Sequence, residues 1–342
     1  MTGFLADRRR AQWAVPAVTV ALWIAVLLVK GSVFDLSIRD YVARSQRLPG
    51  VATGEPDGAY RNWSMLPLVL GRLTGASTPL RFALVQYVAL VAGTAAVGWH
   101  LARTRNPTVA LAAVLAVFST TTASYTVHFA GSYDQVLVPL LCLAVVCRAP
   151  LPAAITGVAL GLTHAEVGAI VALALLALAW AGDPSRLLPR LATFGGVVVA
   201  RLGLMVWFAA AGASGDRASF LESYGLETTL RHFADTWPVI LWTALAGGWL
   251  VVAHVVARAP RRTVAVVIGW IVIAIGLTAA TVDQTRVGGL LLLPLVVALA
   301  VDRPPVPRTT LLSAALVGLA SPFVISLAGA VFALGGPFEI HW

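Results

Sequence analysis

Ionisable side chains interrupt an apolar sequence at four places, and each place could support polar chemistry. His164 and Glu166 stand in GLTHAEVGAI, inside an otherwise apolar run from 151 to 181. The other three groups are Asp35 and Asp40 in VFDLSIRDY, His128 with Tyr133 and Asp134 in HFAGSYDQV, and Asp283 with Arg286 in VDQTRVGG. Carboxylates and imidazoles can move protons, and guanidinium groups bind phosphate bidentately. What these groups can do depends on whether the fold brings them together.

Arg201 is a further candidate, because it lies ten residues into the apolar segment 191–212. An arginine at membrane depth costs about 2.5–3.5 kcal/mol on insertion scales and usually has a partner. Asp134, Glu166 or Asp283 could be that partner. Two interpretations stay open: a structural ion pair, or a guanidinium that binds phosphate.

The composition predicts a membrane protein. Of 342 residues, 59% are hydrophobic and only 11% are charged, whereas soluble domains carry about 25% charged residues. Apolar stretches of about 20 residues recur, which is typical of an all-α, polytopic transmembrane helical bundle. The net charge of +9 fits the positive-inside bias of membrane proteins, so we expect no nucleic-acid partner. Arginine far outnumbers lysine, which suggests a high-GC bacterial genome, as in actinobacteria.

Eleven apolar segments are predicted within a single transmembrane domain covering 1–342. They fall at 12–30, 82–102, 107–128, 133–149, 151–163, 165–181, 191–212, 237–257, 263–281, 285–301 and 309–333.

The arginines decide how the run 151–181 crosses the membrane. A single crossing would put Arg186 and Arg190 outside, whereas two short passes put every later arginine-rich loop inside. We therefore predict two passes that turn at GLTHAEVG, with the N-terminus inside and the C-terminus outside. The inner side then holds 13 basic and three acidic residues, and the other 12 acidic residues lie outside. Chemistry is expected on the outer face.

Two substantial outer loops are predicted, at 31–81 and 213–236. In the first, Tyr60, Trp63, Leu66 and Leu70 form an amphipathic stretch suited to interfacial helices. A solvated loop with ordinary interfacial anchors is the plainer interpretation of the same residues.

Metal chemistry has weak support in the sequence. Cys142 and Cys147 are the only cysteines, and they form neither a disulfide framework nor a zinc pattern. The histidines lack metal-ligand spacing. A hard divalent cation held by outer carboxylates, such as Asp35 and Asp134, stays open.

Over residues 12–180 the sequence resembles the GT-C class of integral membrane glycosyltransferases, in particular bacterial relatives of the GPI mannosyltransferases. Three stretches carry the resemblance. VFDLSIRDY places acidic residues after the first helix, AYRNWSMLPLVLGRLTG precedes the second, and GSYDQVLVPLL is a polar turn entering the fourth.

The resemblance implies transfer of a sugar from a polyprenyl-phosphate donor to a glycan or glycolipid acceptor of the cell envelope. The reaction would occur at the outer face of a bacterial cytoplasmic membrane. Asp40 or Asp35 would be the catalytic base, with Asp40 favoured. Residues expected to bind the donor phosphate or substrate are Arg286, Arg201, Asp283, Asp134, His164, Glu166, His128 and Tyr133.

Other classes of function stay open. An outward-facing membrane acyltransferase should depend on a histidine, with His128 and His164 as candidates, and a lipid-linked glycan polymerase would share the same face. A transporter or flippase would show internal pseudo-symmetry and polar groups at mid-membrane. A non-catalytic membrane subunit is the remaining alternative.

Overall fold

The computed structural model describes residues 8–35, 37–50, 64–212, 225–281, 283–302, 306–327 and 330–334. The described part of the chain is all-α and 83% helical. Tyr60, Trp63 and residues 213–224 of the predicted outer loops lie outside the described part of the chain.

The helices are, in chain order, α1 (Arg8–Lys30), α2 (Ile38–Arg47), α3 (Met65–Leu73), α4 (Pro79–Thr104), α5 (Pro107–Phe118), α6 (Thr121–His128), α7 (Asp134–Val146), α8 (Pro150–Gly182), α9 (Leu187–Ala210), α10 (Leu226–Leu245), α11 (Gly248–Val256), α12 (Arg261–Ala279), α13 (Gln284–Asp302) and α14 (Arg308–Ala320). Four short strands complete the described elements: β1 (Val33–Phe34), β2 (Phe129–Ala130), β3 (Phe323–Leu327) and β4 (Ala330–Leu334).

These helices are those of a multi-pass membrane protein. Six described helices are long and apolar enough to cross a membrane, or up to eight if each of two bent pairs forms one span. The bent pairs are α5 with α6, at 66°, and α10 with α11, at 86°. The sequence predicts one apolar segment at each of these places, 107–128 and 237–257, without the bends. The count of eleven segments stays a prediction.

The chain forms two compact units. The first unit comprises Met1–Ser32, Val91–His128 and Thr229–Trp342, and the second comprises Val33–Leu90 and Phe129–Thr228. Each unit therefore takes segments from distant parts of the sequence.

Helix α13 is the core of the first unit. Its sequence is apolar on every side from Gly288 to Val301, and 89% of its spanning window is buried. A helix that is hydrophobic all round has to be enclosed by other helices. In this unit α5 and α12 pack against it, and α14 packs against α5.

Opposite ends of the first unit carry different polar contacts. At one end, Arg105 pairs with Asp302 at 3.2 Å, and Arg308 donates to the Thr108 hydroxyl at 3.2 Å. At the other, Lys30 Nζ donates to the Ser321 carbonyl at 2.8 Å. Residues of the loops predicted to lie inside thus meet at one end, and the end of the first predicted segment meets the middle of the last one, 309–333, at the other.

Helix α8 of the second unit is a hairpin of two helical arms, residues 150–163 and 165–182. The backbone at His164 is not helical, with φ −160° and ψ 89°. A Cβ on Gly168 would lie 3.1 Å from the Leu160 Cβ, although eight residues of continuous helix span about 12 Å. The chain therefore reverses direction at His164.

Small residues let the first arm pack closely along α9. A Cβ on Gly157 would collide with the Thr193 carbonyl oxygen, and one on Gly161 would lie 2.6 Å from the Ala200 Cβ. Because the contacts advance in the same order on both helices, the first arm and α9 run parallel. Such glycine contacts are typical of close helix packing in membranes.

A polar turn joins the second arm to α9. The Asp183 carboxylate accepts from the Ser185 hydroxyl at 2.5 Å and from Arg186 Nε at 2.9 Å. The Ser185 hydroxyl is the main cause that lowers the pKa of Asp183 below its ordinary value, and Arg186 adds to this effect. Asp183 thus remains ionised and fixes the turn at neutral pH.

The last predicted segment, 309–333, was wrong as a single helix. Helix α14 ends at Ala320, and β3 and β4 then form an antiparallel pair from Phe323↔Leu334 to Leu327↔Ala330. Pro322 explains the break, because it disfavours helical backbone at the preceding residue and removes an N–H donor. The β-branched and aromatic residues that follow favour strands.

Candidate functional site

The first predicted outer loop is joined to the polar turn before α7 in the second unit. Strand β1 pairs in parallel with β2, with Val33 opposite Phe129 and Phe34 opposite Ala130. The Asp35 N–H extends this ladder by donating to the Ala130 carbonyl at 2.9 Å. The acidic residues after the first helix and the turn GSYD are thereby held together.

Gly131 shapes that turn. Its φ of +86° favours glycine, and an added Cβ would lie 2.9 Å from the Cγ1 of Ile38 in α2. The Gly131 N–H donates to Gln135 Oε1 at 3.0 Å. Asp134 follows, fully buried in the first turn of α7. A carboxylate is favoured there by the helix dipole.

Aromatic rings connect this turn to α2 and to the hairpin of α8. The rings of Tyr41 and Tyr133 are 6.3 Å apart at 78°, an edge-to-face arrangement. Tyr133 also contacts the His164 ring, with centroids 5.8 Å apart. Edge-to-face pairs are stabilising contacts at these distances, so Tyr133 links Tyr41 to the hairpin tip.

His164 explains why the helix breaks at the tip. Its extended backbone directly precedes the second arm, and the Val167 N–H points to its Nδ1 at 3.5 Å. A side-chain acceptor for the amide three residues later is the arrangement of a helix N-cap. His164 therefore begins the second arm as well as belonging to the candidate site.

Glu166 lies between His164 and Arg201, and its contact with His164 is an alternative to the N-cap, because Nδ1 donates to Glu166 when it carries a proton and accepts from the Val167 N–H when it does not. Its Oε2 lies 3.4 Å from His164 Nδ1, and its Oε1 lies 3.5 Å from Arg201 Nη2. The side chains of Glu166 and Arg201 are 43% and 27% exposed, so the pair borders open space. A ligand could reach both charges there.

Arg201 lies in the middle part of α9, away from the C-terminal end of the helix. Nine residues separate it from Ala210, the last residue of the helix, which corresponds to about 14 Å of helix. The sequence predicts His164 and Glu166 near the outer boundary of the membrane. The hairpin tip lies beside the middle of α9, and its depth in the membrane stays a prediction.

The contact chain Tyr41–Tyr133–His164–Glu166–Arg201 is the candidate site. It joins α2, the turn before α7, the hairpin and α9, and all of its members belong to the second unit. Three groups that are separate in the sequence therefore meet: Tyr133, the pair His164 and Glu166, and Arg201. A guanidinium, a carboxylate and an imidazole side by side can bind an anion and handle a proton.

Asp35 and Asp40 differ in their local roles. Asp35 Oδ1 accepts from the Ser37 N–H at 2.8 Å, and the Asp35 carbonyl accepts from the Ile38 N–H at 3.0 Å. These bonds organise the start of α2. Asp40 lies in the first turn of α2, directly before Tyr41, and is half-buried.

The remaining predicted residues belong to the first unit. Arg286 Nη1 lies 3.3 Å from Asp283 Oδ2 at the start of α13. His128 ends α6, with its Nδ1 3.3 Å from the Lys30 carbonyl. Arg286, Asp283 and His128 are therefore treated apart from the contact chain.

A buried polar network in the first unit was missed by sequence reasoning. Gln284 Nε2 donates to the Thr229 carbonyl at 3.0 Å, so its Oε1 accepts from the Ser326 hydroxyl at 3.0 Å. His232 Nε2 lies 2.8 Å from the same Ser326 oxygen. Because that hydroxyl proton is committed to Gln284, His232 has to donate. The pair is thus not a serine activated by a histidine base.

Two buried cationic residues were also missed. Arg190 donates to the carbonyls of Ala144 and Val145, the latter at 2.5 Å, and so caps the end of α7. Lys30, the chain's only lysine, is buried at the end of α1. From the sequence, Arg190 is assigned only to a predicted inner loop, and Lys30 is given no role. Their partners are distant in sequence, so no local signal could have found them.

Among the described residues, no group of three or more His, Cys, Asp or Glu side chains could hold a metal ion. Asp35 and Asp134, the residues suggested for a divalent cation, are therefore not part of such a cluster.

No protein-family model, curated protein or solved structure matches this chain. Its function is consequently argued from its own residues.

Proposed function

We propose that the chain is an integral membrane glycosyltransferase of the GT-C kind. It moves a sugar from a polyprenyl-phosphate-linked donor to a cell-envelope glycan or lipid acceptor on the outer face of a bacterial cytoplasmic membrane. The observation that supports this most is the contact chain from Tyr41 to Arg201, because it joins the acidic first loop to a cation set below the end of a long apolar helix.

The proposed orientation has the N-terminus inside and the C-terminus outside. The hairpin supports it, because two arms return the chain to the side from which α8 began, as the arginine pattern requires. The first arm has 14 residues, which is about 21 Å of helix and less than the 30 Å of a hydrocarbon core. The hairpin is therefore a partly re-entrant pair, and its tip lies within the outer leaflet.

The reaction needs one base and one cation. The base, Asp40 in our proposal and Asp35 as the second choice, accepts the proton of an acceptor hydroxyl. That oxygen bonds to the anomeric carbon of the sugar, while the bond from that carbon to the phosphate oxygen breaks. The phosphate leaves on the lipid with its negative charge, which a guanidinium stabilises.

Arg201 is the proposed partner of that phosphate. A polyprenyl tail lies in the bilayer, so its phosphate reaches the protein at the depth of the outer leaflet. Glu166 orients the guanidinium through Nη2; both side chains are partly exposed, whereas Arg201 Nη1 is buried in the protein. His164 and Tyr133 position Glu166 and line the approach. Asp134, buried at the start of α7, supports the turn that holds Tyr133.

The alternatives have less structural support. An acyltransferase would need a histidine base, yet His164 caps a helix and His128 contacts a backbone carbonyl. A lipid-linked glycan polymerase would use the same face and the same chemistry, and only the acceptor would differ. No described contact favours a transporter, a flippase or a non-catalytic subunit.

The test is a transfer assay with the full chain in liposomes. Radiolabelled polyprenyl-phosphate monosaccharides are supplied one at a time, with cell-envelope extract as the acceptor. Transfer from at least one donor, lost in Glu166→Gln and Asp40→Asn, is the expected result. Transfer from none of the donors by a folded protein, or equal transfer by both variants, would contradict the proposal.

A further inference from the structure

One end of the first unit gathers arginines from several helices. Helices α12 and α13 run antiparallel, because a Cβ on Gly288, near the start of α13, would lie 3.1 Å from the Thr278 hydroxyl near the end of α12. The start of α12 therefore lies at the same end of the unit as Asp302, the last residue of α13. The Arg105–Asp302 pair and the bond from Arg308 add the end of α4 and the start of α14.

Five arginines of this end are exposed, and we call them the arginine surface. They are Arg103, Arg258, Arg261, Arg262 and Arg308.

The charge of this surface is not balanced within the described part of the chain. The carboxylate of this end, Asp302, is already held by Arg105 at 3.2 Å. Arg258 donates to His254 Nδ1 at 3.1 Å and Arg308 to the Thr108 hydroxyl, and neither acceptor is an anion. Among the described residues, no carboxylate pairs with Arg261 or Arg262. Several positive charges therefore lie close together and face outward.

Membrane topology alone does not require this arrangement. The positive-inside bias places arginines on one side of the membrane, but it does not require that they stay exposed. In the second unit, Arg186 pairs with Asp183, and Arg190 donates to backbone carbonyls in the interior. Arginines of the first unit are instead left for a partner outside the chain.

The helix ends increase the positive potential of the arginine surface. Helices α12 and α14 both begin there, without a side-chain cap and without an acidic residue in the first turn. Arg261, Arg262 and Arg308 occupy those first turns. A cation at this position is unfavourable, because the helix dipole has its positive end there. An external anion would remove this repulsion.

The depth of the surface in the membrane identifies the anion. Helix α4 has 26 residues, about 39 Å of helix, whereas a hydrocarbon core is about 30 Å thick. The guanidinium of Arg103, in its last turn, lies 5.3 Å from the centre of the Trp99 ring. Tryptophan is enriched at the level of the lipid headgroups. The anions available at that level are lipid phosphates.

We propose that the arginine surface binds the headgroups of anionic phospholipids. Guanidinium groups donate bidentately to phosphate oxygens, and about four to eight basic residues beside a transmembrane helix are typical of binding to acidic lipids. A zwitterionic headgroup is a poorer partner, because its own cation is repelled by the arginines. The proposal is independent of sugar transfer and of the contact chain in the second unit.

The test measures lipid binding by the full chain in a polyoxyethylene detergent, which carries no phosphate. The probes are dioleoylphosphatidylglycerol, dioleoylphosphatidylcholine and inorganic phosphate. Native mass spectrometry counts the retained lipids, and the shift in Tm gives the apparent Kd.

The variant for this test replaces four arginines of the surface by glutamine, at Arg258, Arg261, Arg262 and Arg308. The matched control replaces four exposed arginines elsewhere by glutamine, at Arg39, Arg47, Arg81 and Arg231. Both variants lose the same charge. The control positions lie in α2, at the start of α4 and in the first half of α10.

We expect phosphatidylglycerol to bind saturably and to raise the Tm, and the other two probes to do neither at the same concentrations. The surface variant should bind phosphatidylglycerol about tenfold or more weakly, and the control variant should bind it as the unmodified chain does. Without lipid, the Tm of the surface variant should equal or exceed that of the unmodified chain, because repulsion between the arginines is lost. The Tm rise of the unmodified chain should also shrink between about 0.05 and about 0.5 M salt, since salt screens exposed charges.

Four results would overturn the proposal: equal binding of phosphatidylcholine, equal stabilisation by inorganic phosphate, unchanged affinity in the surface variant, or equal weakening in the control. A Tm rise that salt leaves unchanged would also overturn it, and this measurement needs no variant. None of these outcomes depends on sugar transfer, which the Glu166 and Asp40 variants test separately.

Discussion

Glu166 and Arg201 form an ion pair between the hairpin tip and α9, with Oε1 and Nη2 3.5 Å apart. The partner predicted for Arg201 is thus identified among the three carboxylates that the sequence offered. Because both side chains are partly exposed, the pair differs from the enclosed ion pair whose loss costs several kcal/mol.

The first prediction separates stability from activity at this pair. Glu166→Gln and Arg201→Lys should each leave the free energy of unfolding nearly unchanged, because Gln keeps an oxygen that accepts from Arg201 Nη2 and Lys keeps the charge opposite Glu166. Transfer activity should fall at least about tenfold in each, because the bidentate orientation of the guanidinium is lost. Thermal unfolding and the transfer assay are measured on the same preparations. A large loss of stability with normal activity per folded molecule would make the pair structural.

The second prediction concerns the base. Asp40→Asn should lower transfer by about 10²–10⁴-fold, the usual contribution of general-base catalysis. Asp35→Asn is the matched control, because an asparagine oxygen can still accept from the Ser37 N–H. It should keep the fold and most of the activity. If Asp40→Asn stays within a few-fold of the unmodified chain while Asp35→Asn is inactive, the two roles are reversed.

The third prediction tests the hairpin. Cysteines at Leu160 and Gly168, in a chain with Cys142 and Cys147 replaced by alanine, should form a disulfide, because the Cβ positions are 3.1 Å apart. Mass spectrometry of the oxidised peptide detects the loss of two hydrogens. Gly93 and Leu101 are the matched pair, also eight residues apart but within the single helix α4, and they should not crosslink. Absence of the 160–168 crosslink under the same oxidation would mean that α8 does not reverse at His164.

The fourth prediction concerns the cap of α7. Arg190→Met should destabilise the protein by about 1.5–3 kcal/mol, because hydrogen bonds from a charged donor to the Ala144 and Val145 carbonyls are lost in a buried place. Arg258→Gln, at an exposed position after α11, is the control and should have little effect. Urea unfolding in detergent gives both values. Equal stability of the two variants would show that the cap contributes nothing.

The sequence predicted the reversal at GLTHAEVG because charge is a long-range signal along the chain. The backbone is not helical at His164, as that prediction requires; the two membrane crossings that keep Arg186, Arg190 and the later arginines on one side stay a prediction. The predicted partnership of Arg201 with a carboxylate had a similar basis, since an arginine among apolar residues requires compensation.

Other features could not be predicted, because their parts are ordinary in sequence. Gln284, His232 and Ser326 come from separate parts of the sequence, and only the fold brings them into one buried hydrogen-bonded network. The β-hairpin after Ala320 was misread as helix because apolar composition outweighed the break at Pro322. The bends between α5 and α6 and between α10 and α11 were likewise hidden within continuous apolar runs.

The most direct test of the central claim is the binding of unlabelled polyprenyl phosphate, the lipid product of the proposed reaction, to the purified full chain in polyoxyethylene detergent. We expect saturable binding. Arg201→Lys should weaken it about tenfold or more, because lysine keeps the positive charge but loses the bidentate geometry of the guanidinium. Absence of saturable binding, or an affinity that Arg201→Lys leaves unchanged, would contradict a polyprenyl-phosphate-dependent glycosyltransferase.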